Sequence, residues 1–212
     1  MRRVETIINN DTISLEACLD LPDLKGCYPG VVLCHPHPLY GGNMNNNVIL
    51  AVSRALTREG AASLRFNFRG VGRSQGSFGG GVLEQDDARA ALSYLVKHEE
   101  INPARVGIMG YSFGGVVALP VGGGSSAVKA IAGVSPVITT GVLKDCVKPK
   151  LIICGAEDNI VPSSLVLRGT ADMAEPKIVE VIPGVDHFWW GCEKEAADMV
   201  ADFFVRILNR AE

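Results

Sequence analysis

Six short apolar runs punctuate the chain: VVLC at 31–34, ASLRFNF at 62–68, VGIMG at 106–110, AIAGVS at 130–135, LIICG at 151–155 and KIVEVI at 177–182. Runs of this length and composition suit parallel strands covered on both faces. Between them NNVILAVSRALTREG (46–60), VLEQDDARAALSYLVKHEE (82–100) and SSLVLRGTADMA (163–174) carry helical spacing, and EKEAADMVADFFVRILNR (193–210) reads as an amphipathic closing helix. Strand alternating with helix predicts an α/β architecture, a doubly wound and mostly parallel sheet. Residues 3–9 and 12–20, either side of Asn10-Asp11, predict a leading antiparallel hairpin. Residues 136–150, between the fourth and fifth runs, leave no room for an inserted lid domain, so a site above the strand ends is expected to be open.

Composition narrows the function classes. The 212 residues, 47% of them hydrophobic, suit one domain spanning 1–212 with a substantial core. A net charge of −3, with lysines and arginines scattered, argues against a nucleic-acid partner. No stretch approaches the roughly 18 apolar residues of a membrane span, and the alternating N-terminal segment lacks the apolar run of a signal peptide. The six cysteines form no C-x-x-C pair, and Cys34 and Cys154 fall in apolar runs. They are read as reduced thiols in a cytoplasmic protein.

G-x-S-x-G, the spacing that exposes a serine on a strand-to-helix turn, occurs twice: around Ser112 in RVGIMGYSFGGVVAL and around Ser74 in RGVGRSQGSFGG. In a chain with 24 glycines the pattern alone decides little, and context chooses. Ser112 follows an apolar run, and FGGVVAL after it opens a helix that Pro120 is expected to end. Ser74 is followed by SQGSFGGG, which has no helical periodicity, so it is read as a loop serine. The same stretch falls short of a dinucleotide fingerprint, since its glycines run G-x-G-x-x-x-G and no helix opens on them.

A serine hydroxyl needs a general base, and the base needs a carboxylate to orient it. Of the four histidines, His98 lies in a charged helical stretch and His35 and His37 precede the elbow. His187, in IPGVDHFWWG, follows the last strand-like run, where a parallel sheet puts residues above its carboxyl edge. For the acid, LIICGAEDNIVP ends a strand and turns through Glu157 and Asp158; Asp158 is chosen, though spacing alone leaves Glu157 open. The order is then Ser, Asp, His. The pair His35 and His37 has metal-ligand spacing but no third ligand nearby, so no metal or other cofactor is expected.

Taken together, HPHPLYGGNMNN, LRFNFRGVGRSQG, GYSFGG, GAEDNIVP and VDHFWWG resemble the α/β-hydrolase fold, in particular its small lidless members related to dienelactone hydrolases and carboxylesterases. The resemblance runs from about residue 30 onward and implies Ser112, Asp158 and His187 as the triad. Dienelactone hydrolases proper carry cysteine at the elbow, where this chain has serine. The resemblance also implies an oxyanion hole made by the amide after the nucleophile, that of Phe113, and a second amide from the loop after the third strand. Pro36 and Pro38 have no N–H, which leaves His37, Leu39 or Tyr40; alignment with the His-Gly of many hydrolases selects His37. Arg69 is expected to pair with Asp86 or Asp87 at the start of the following helix. Phe188, Trp189 and Trp190 serve either as core or as one wall of an acyl or alcohol pocket, and Tyr40 is read in the same way; Tyr40, Trp189 and Trp190 stand as the substrate-binding candidates. The expectation is a serine esterase acting on small carboxylic esters. A thioesterase or peptidase with the same triad, or a binding protein on the same scaffold, is the alternative.

Overall fold

The computed structural model describes residues 1–10, 12–23 and 26–210. Among these residues eight strands form one sheet in the order β1-β2-β4-β3-β5-β6-β7-β8. They are β1 (Arg2–Asn10), β2 (Ile13–Leu21), β3 (Tyr28–Cys34), β4 (Ala62–Phe66), β5 (Ile101–Tyr111), β6 (Val128–Val134), β7 (Lys150–Gly155) and β8 (Lys177–Ile182). β1 and β2 pair antiparallel, from Arg2 opposite Leu21 to Asn10 opposite Ile13, as the leading hairpin requires. Asp11, in its turn, lies outside the described residues. β2 joins β4 antiparallel, and every pairing from β4 through β8 is parallel.

Parallel strands need crossovers, and among the described residues four of the five helices lie on them, α1 (Asn47–Arg58) from β3 to β4, α2 (Glu84–Lys97) from β4 to β5, α3 (Phe113–Gly124) from β5 to β6 and α4 (Ser163–Thr170) from β7 to β8, while α5 (Glu193–Leu208) follows β8. Side chains alternate along a strand, so each run feeds two cores. Val31 and Leu33 of β3 join α1 and α5 on one face, while Val32 and Cys34 join the face covered by α2, α3 and α4. That two-sided burial explains why these strands read as continuous apolar runs. No helix among the described residues is long and apolar enough to cross a membrane.

The expectation that Pro120 ends the nucleophile helix is corrected: α3 continues through it to Gly124. A proline removes one intrahelical hydrogen bond and crowds the preceding turn. The far end of α3 is held from outside the helix, because Lys148 Nζ donates to the carbonyls of Gly122, Gly123 and Ser125 at 2.7, 3.1 and 2.5 Å. An ammonium at a helix C-terminus satisfies open carbonyls and matches the negative end of the dipole.

Of the two candidates for Arg69, Asp87 is the partner. Its buried carboxylate accepts from the Arg69 backbone N–H at 3.0 Å and from the guanidinium at 2.6 Å, while Asp86 pairs with Arg89. This ion pair fastens the exit of β4 to the first turn of α2. Ser74 is a buried loop serine: its hydroxyl accepts from the Glu16 N–H and donates to the Asn67 carbonyl at 2.7 Å.

Candidate active site

Ser112 stands between β5 and α3 with φ 53° and ψ −118°, a strained conformation for a residue with a side chain. Glycine on either side makes that turn possible. A Cβ on Gly110 would lie 2.2 Å from the Gly114 carbonyl oxygen, and one on Gly114 would lie 2.2 Å from that of Cys34. The second contact also shows how closely the loop leaving β3 lies against the first turn of α3.

Ser112, Asp158 and His187 converge above the carboxyl ends of β5, β7 and β8. Ser112 Oγ lies 2.9 Å from His187 Nε2, and His187 Nδ1 lies 2.8 Å from Asp158 Oδ2. A carboxylate only accepts, so the imidazole proton sits on Nδ1 and Nε2 is free to accept from the serine. Burial pushes the Asp158 carboxyl up, but hydrogen bonds from His187 and the Val161 N–H outweigh it and hold it below its ordinary value. Asp158 Oδ1 takes the N–H groups of Ile160 and Val161 at 3.0 and 2.7 Å. Glu157, left open by spacing, points to solvent. Ser112 keeps 8% and His187 6% of its surface accessible, so a ligand reaches both from outside while Asp158 stays behind them.

The His187 loop is held from three sides. Its carbonyl accepts from the Tyr111 hydroxyl at 2.7 Å, its ring stacks on that of Tyr111, and Asp186 Oδ1 accepts the N–H groups of Phe188 and Trp189 at 2.9 Å.

The loop after β3 separates the two remaining histidines. His35 is fully buried, with Nε2 accepting from the Phe68 N–H at 3.0 Å and Nδ1 donating to the Pro36 carbonyl at 2.6 Å. His37 lies farther out, among the rings of Tyr40, Phe78 and Phe113 at centroid distances of 4.7, 5.0 and 4.8 Å. The Leu39 N–H donates to His37 Nδ1 and the Tyr40 N–H to the His37 carbonyl, both within the 3₁₀ turn Pro38–Tyr40. Among the described residues the N–H groups of His37 and Phe113 have no such partner. Leu39 and Tyr40 are thus occupied, and His37 and Phe113 are open.

The aromatic candidates divide. Tyr40 and Trp190 are 87% and 70% exposed, and Tyr40 lies against His37 near the site. Trp189 is corrected: with φ 57° it turns inward and is fully buried in the core under α1 and α5, out of reach of substrate. Phe78, which the sequence did not single out, packs on His37 and Phe113. Its loop is fixed by the buried Glu84 carboxylate, which accepts from the Gly79 and Gly81 N–H groups at 2.7 Å. The signal was present in SFGGG followed three residues later by a glutamate, which reads equally well as a solvated helix start.

Comparison with known proteins agrees with this fold. The family model described as X-Pro dipeptidyl-peptidase (S15 family) matches residues 11–141, and that of the dienelactone hydrolase family matches residues 81–202. An uncharacterized protein of Rickettsia prowazekii is 35% identical over 190 residues, covering 84% of this chain and 79% of its own length. One of Mycobacterium tuberculosis is 30% identical over 185 residues, and the match spans 64% of its length. The solved structure of an α/β serine hydrolase homologue from Coxiella burnetii superposes with a TM-score of 0.86 at 30% identity, over 95% of this chain and 97% of that one. An α/β serine hydrolase without a lid from Xanthomonas campestris gives 0.87 at 25% identity, over 100% and 98%. The chain belongs to the lidless α/β serine hydrolases, within the relationship that joins the dienelactone hydrolase and S15 families.

Proposed function

We propose that this protein is a serine esterase that cleaves small carboxylic esters through an acyl-enzyme. One observation carries the reading: the unbroken hydrogen-bonded run from Ser112 through His187 to Asp158 at the surface-facing end of the sheet. Ser112 Oγ attacks the ester carbonyl while His187 Nε2 takes its proton. His187 then returns that proton to the departing alkoxide, leaving Ser112 acylated. Water, deprotonated by the same nitrogen, releases the acid. Asp158 holds the imidazole in the Nδ1–H tautomer and stabilises the imidazolium. The open amides of Phe113 and His37 donate to the oxyanion of each tetrahedral intermediate; removing one such donor typically costs about a hundred- to a thousandfold. On the same reading the chain works as one domain in the cytoplasm.

The S15 match favours a second reading, cleavage of a peptide bond by the same machinery. p-Nitrophenyl esters from acetate to decanoate, run beside X-Pro p-nitroanilides, separate the two. The open site leads to a preference for acetate to butyrate, and a maximum at octanoate or on the anilides overturns it. Ser112→Ala abolishes turnover and Ser74→Ala leaves it nearly intact; the opposite ranking refutes the nucleophile.

A further inference from the structure

The turn that carries His187 has the longest gap to span. It leaves β8, which among the described residues pairs only with β7, whereas Ser112 leaves β5, three strand spacings inward. At about 4.8 Å per spacing the two anchorages lie roughly 14 Å apart. An edge strand does little to fix the turn beyond it, yet misplacing a reacting group by about 1 Å costs about a hundredfold.

Two side chains grip the turn directly. The Tyr111 hydroxyl donates to the His187 carbonyl at 2.7 Å, and Asn47 Nδ2 donates to the next carbonyl, that of Phe188, at 3.0 Å. A carbonyl only accepts, so the direction of both bonds is fixed. Burial pushes the Tyr111 phenol above its ordinary value, so it stays a donor through the neutral range. The same Asn47 nitrogen also donates to Glu193 Oε1 at 3.1 Å, in the first turn of α5. Two acceptors facing one end of the carboxamide identify that end as the nitrogen.

The positions of the two donors give these contacts their meaning. Tyr111 immediately precedes the nucleophile, and its ring stacks on the imidazole with centroids 5.8 Å apart at 29°. Asn47 opens α1, at the end of the connection that carries the His37 amide. The base is thereby tied to the nucleophile strand and to the β3–α1 connection without passing through β6, β7 and β8.

We propose that Tyr111 and Asn47 are positioning residues for the base of the triad: by holding the successive carbonyls of His187 and Phe188 they set the imidazole against Ser112 Oγ. This rests on the reading of Ser112, Asp158 and His187 as a triad. Neither side chain touches substrate or moves a proton, so their loss falls on turnover and not on substrate binding.

The test is steady-state kinetics on p-nitrophenyl butyrate with Tyr111→Phe and Asn47→Ala. Tyr111→Phe keeps the stacked ring and deletes the hydroxyl; Asn47→Ala deletes the carboxamide at a half-buried position where alanine suits the helix. Tyr111→Phe lowers kcat about tenfold and Asn47→Ala about threefold, each with KM unchanged, the upper and lower ends of what one neutral hydrogen bond is worth. Phosphonylation of Ser112 by a fluorophosphonate, which draws on the same base, slows by the same factors. Wild-type kcat in either folded variant, whatever its urea midpoint, marks the contact as purely structural and overturns the proposal. Losses that fall on KM, or labelling at the wild-type rate, overturn it as well. Should Tyr111→Phe fail to fold, Asn47→Ala answers alone by the same criteria. His187→Ala distinguishes the failures. If it is inactive while both other variants match the wild type, only the grip on the turn is wrong; if it stays fully active, the triad reading falls and takes the grip with it.

Discussion

Acidification should remove a definite share of this protein's stability through His35. The ring is fully buried, with both nitrogens committed to backbone groups in the neutral form: Nδ1 donates to Pro36 and Nε2 accepts from Phe68. A proton on Nε2 would turn that acceptor into a donor facing the Phe68 N–H. Burial is the dominant cause that pushes the group down to about 4, against an unfolded value of about 6.5. Between those two values the unfolded chain binds a proton at this position and the folded chain does not. Stability therefore falls as the pH drops from about 6.5 to about 4, and is undiminished above that window. Linkage across the gap amounts to about 3 kcal/mol, a large part of the 5–15 kcal/mol typical of a folded domain. The assay is urea unfolding at steps from about pH 7.5 to about pH 4, comparing wild type with His35→Gln, whose amide cannot titrate. Carboxylates and the other histidines are common to both proteins and cancel in the difference. The wild-type advantage should shrink by about 3 kcal/mol across the window. A difference that stays constant with pH would refute the assignment of a buried, neutral His35.

Two further outcomes follow from the same structure. Gly114→Ala drives a methyl into the Cys34 and His35 carbonyls, 2.2 and 2.9 Å away, and neither can move without shifting the loop that carries the His37 amide. Ester turnover should fall by at least about a hundredfold, the cost of one oxyanion donor, and near-wild-type kinetics would show that the loop is free of the elbow. Lys148→Met leaves the carbonyls of Gly122, Gly123 and Ser125 without their ammonium. It should cost about 1–3 kcal/mol in denaturant melts with kcat/KM unchanged, and an unaltered melt would mean that the helix holds past Pro120 unaided.

Most of the fold was legible because its signals are local. A strand buried on both faces is dominated by apolar residues, and a serine on a tight turn must have small neighbours two positions away, so the apolar runs of β3, β5, β6 and β7 and Ser112 stand out in the sequence. Asp158 was selected by its place after β7, and its neighbour Glu157 is separated from it by exposure and by the lack of the His187 contact, which spacing does not encode. What stayed hidden depends on partners distant in the chain. Pro120 is tolerated in α3 beside a cap that comes from Lys148, on a different connection. The burial of Trp189 follows from a positive φ that composition does not disclose, since tryptophan is equally at home on a pocket wall.

The wide spacing of the site along the chain also has a consequence for biogenesis. Ser112 and His187 are 75 residues apart, and β8, which carries the His187 loop, is an edge strand that pairs only with β7. A ribosome therefore exposes the proposed nucleophile well before its proposed base has been synthesised. Joining them requires β6, β7 and β8 to add in turn and α5 to dock on α1, contacts of long sequence separation that form slowly. On the proposed triad the serine stays an ordinary hydroxyl until that docking is complete, so the nascent chain would carry a silent nucleophile, and the first turnover would mark the moment at which β6 to α5 have closed.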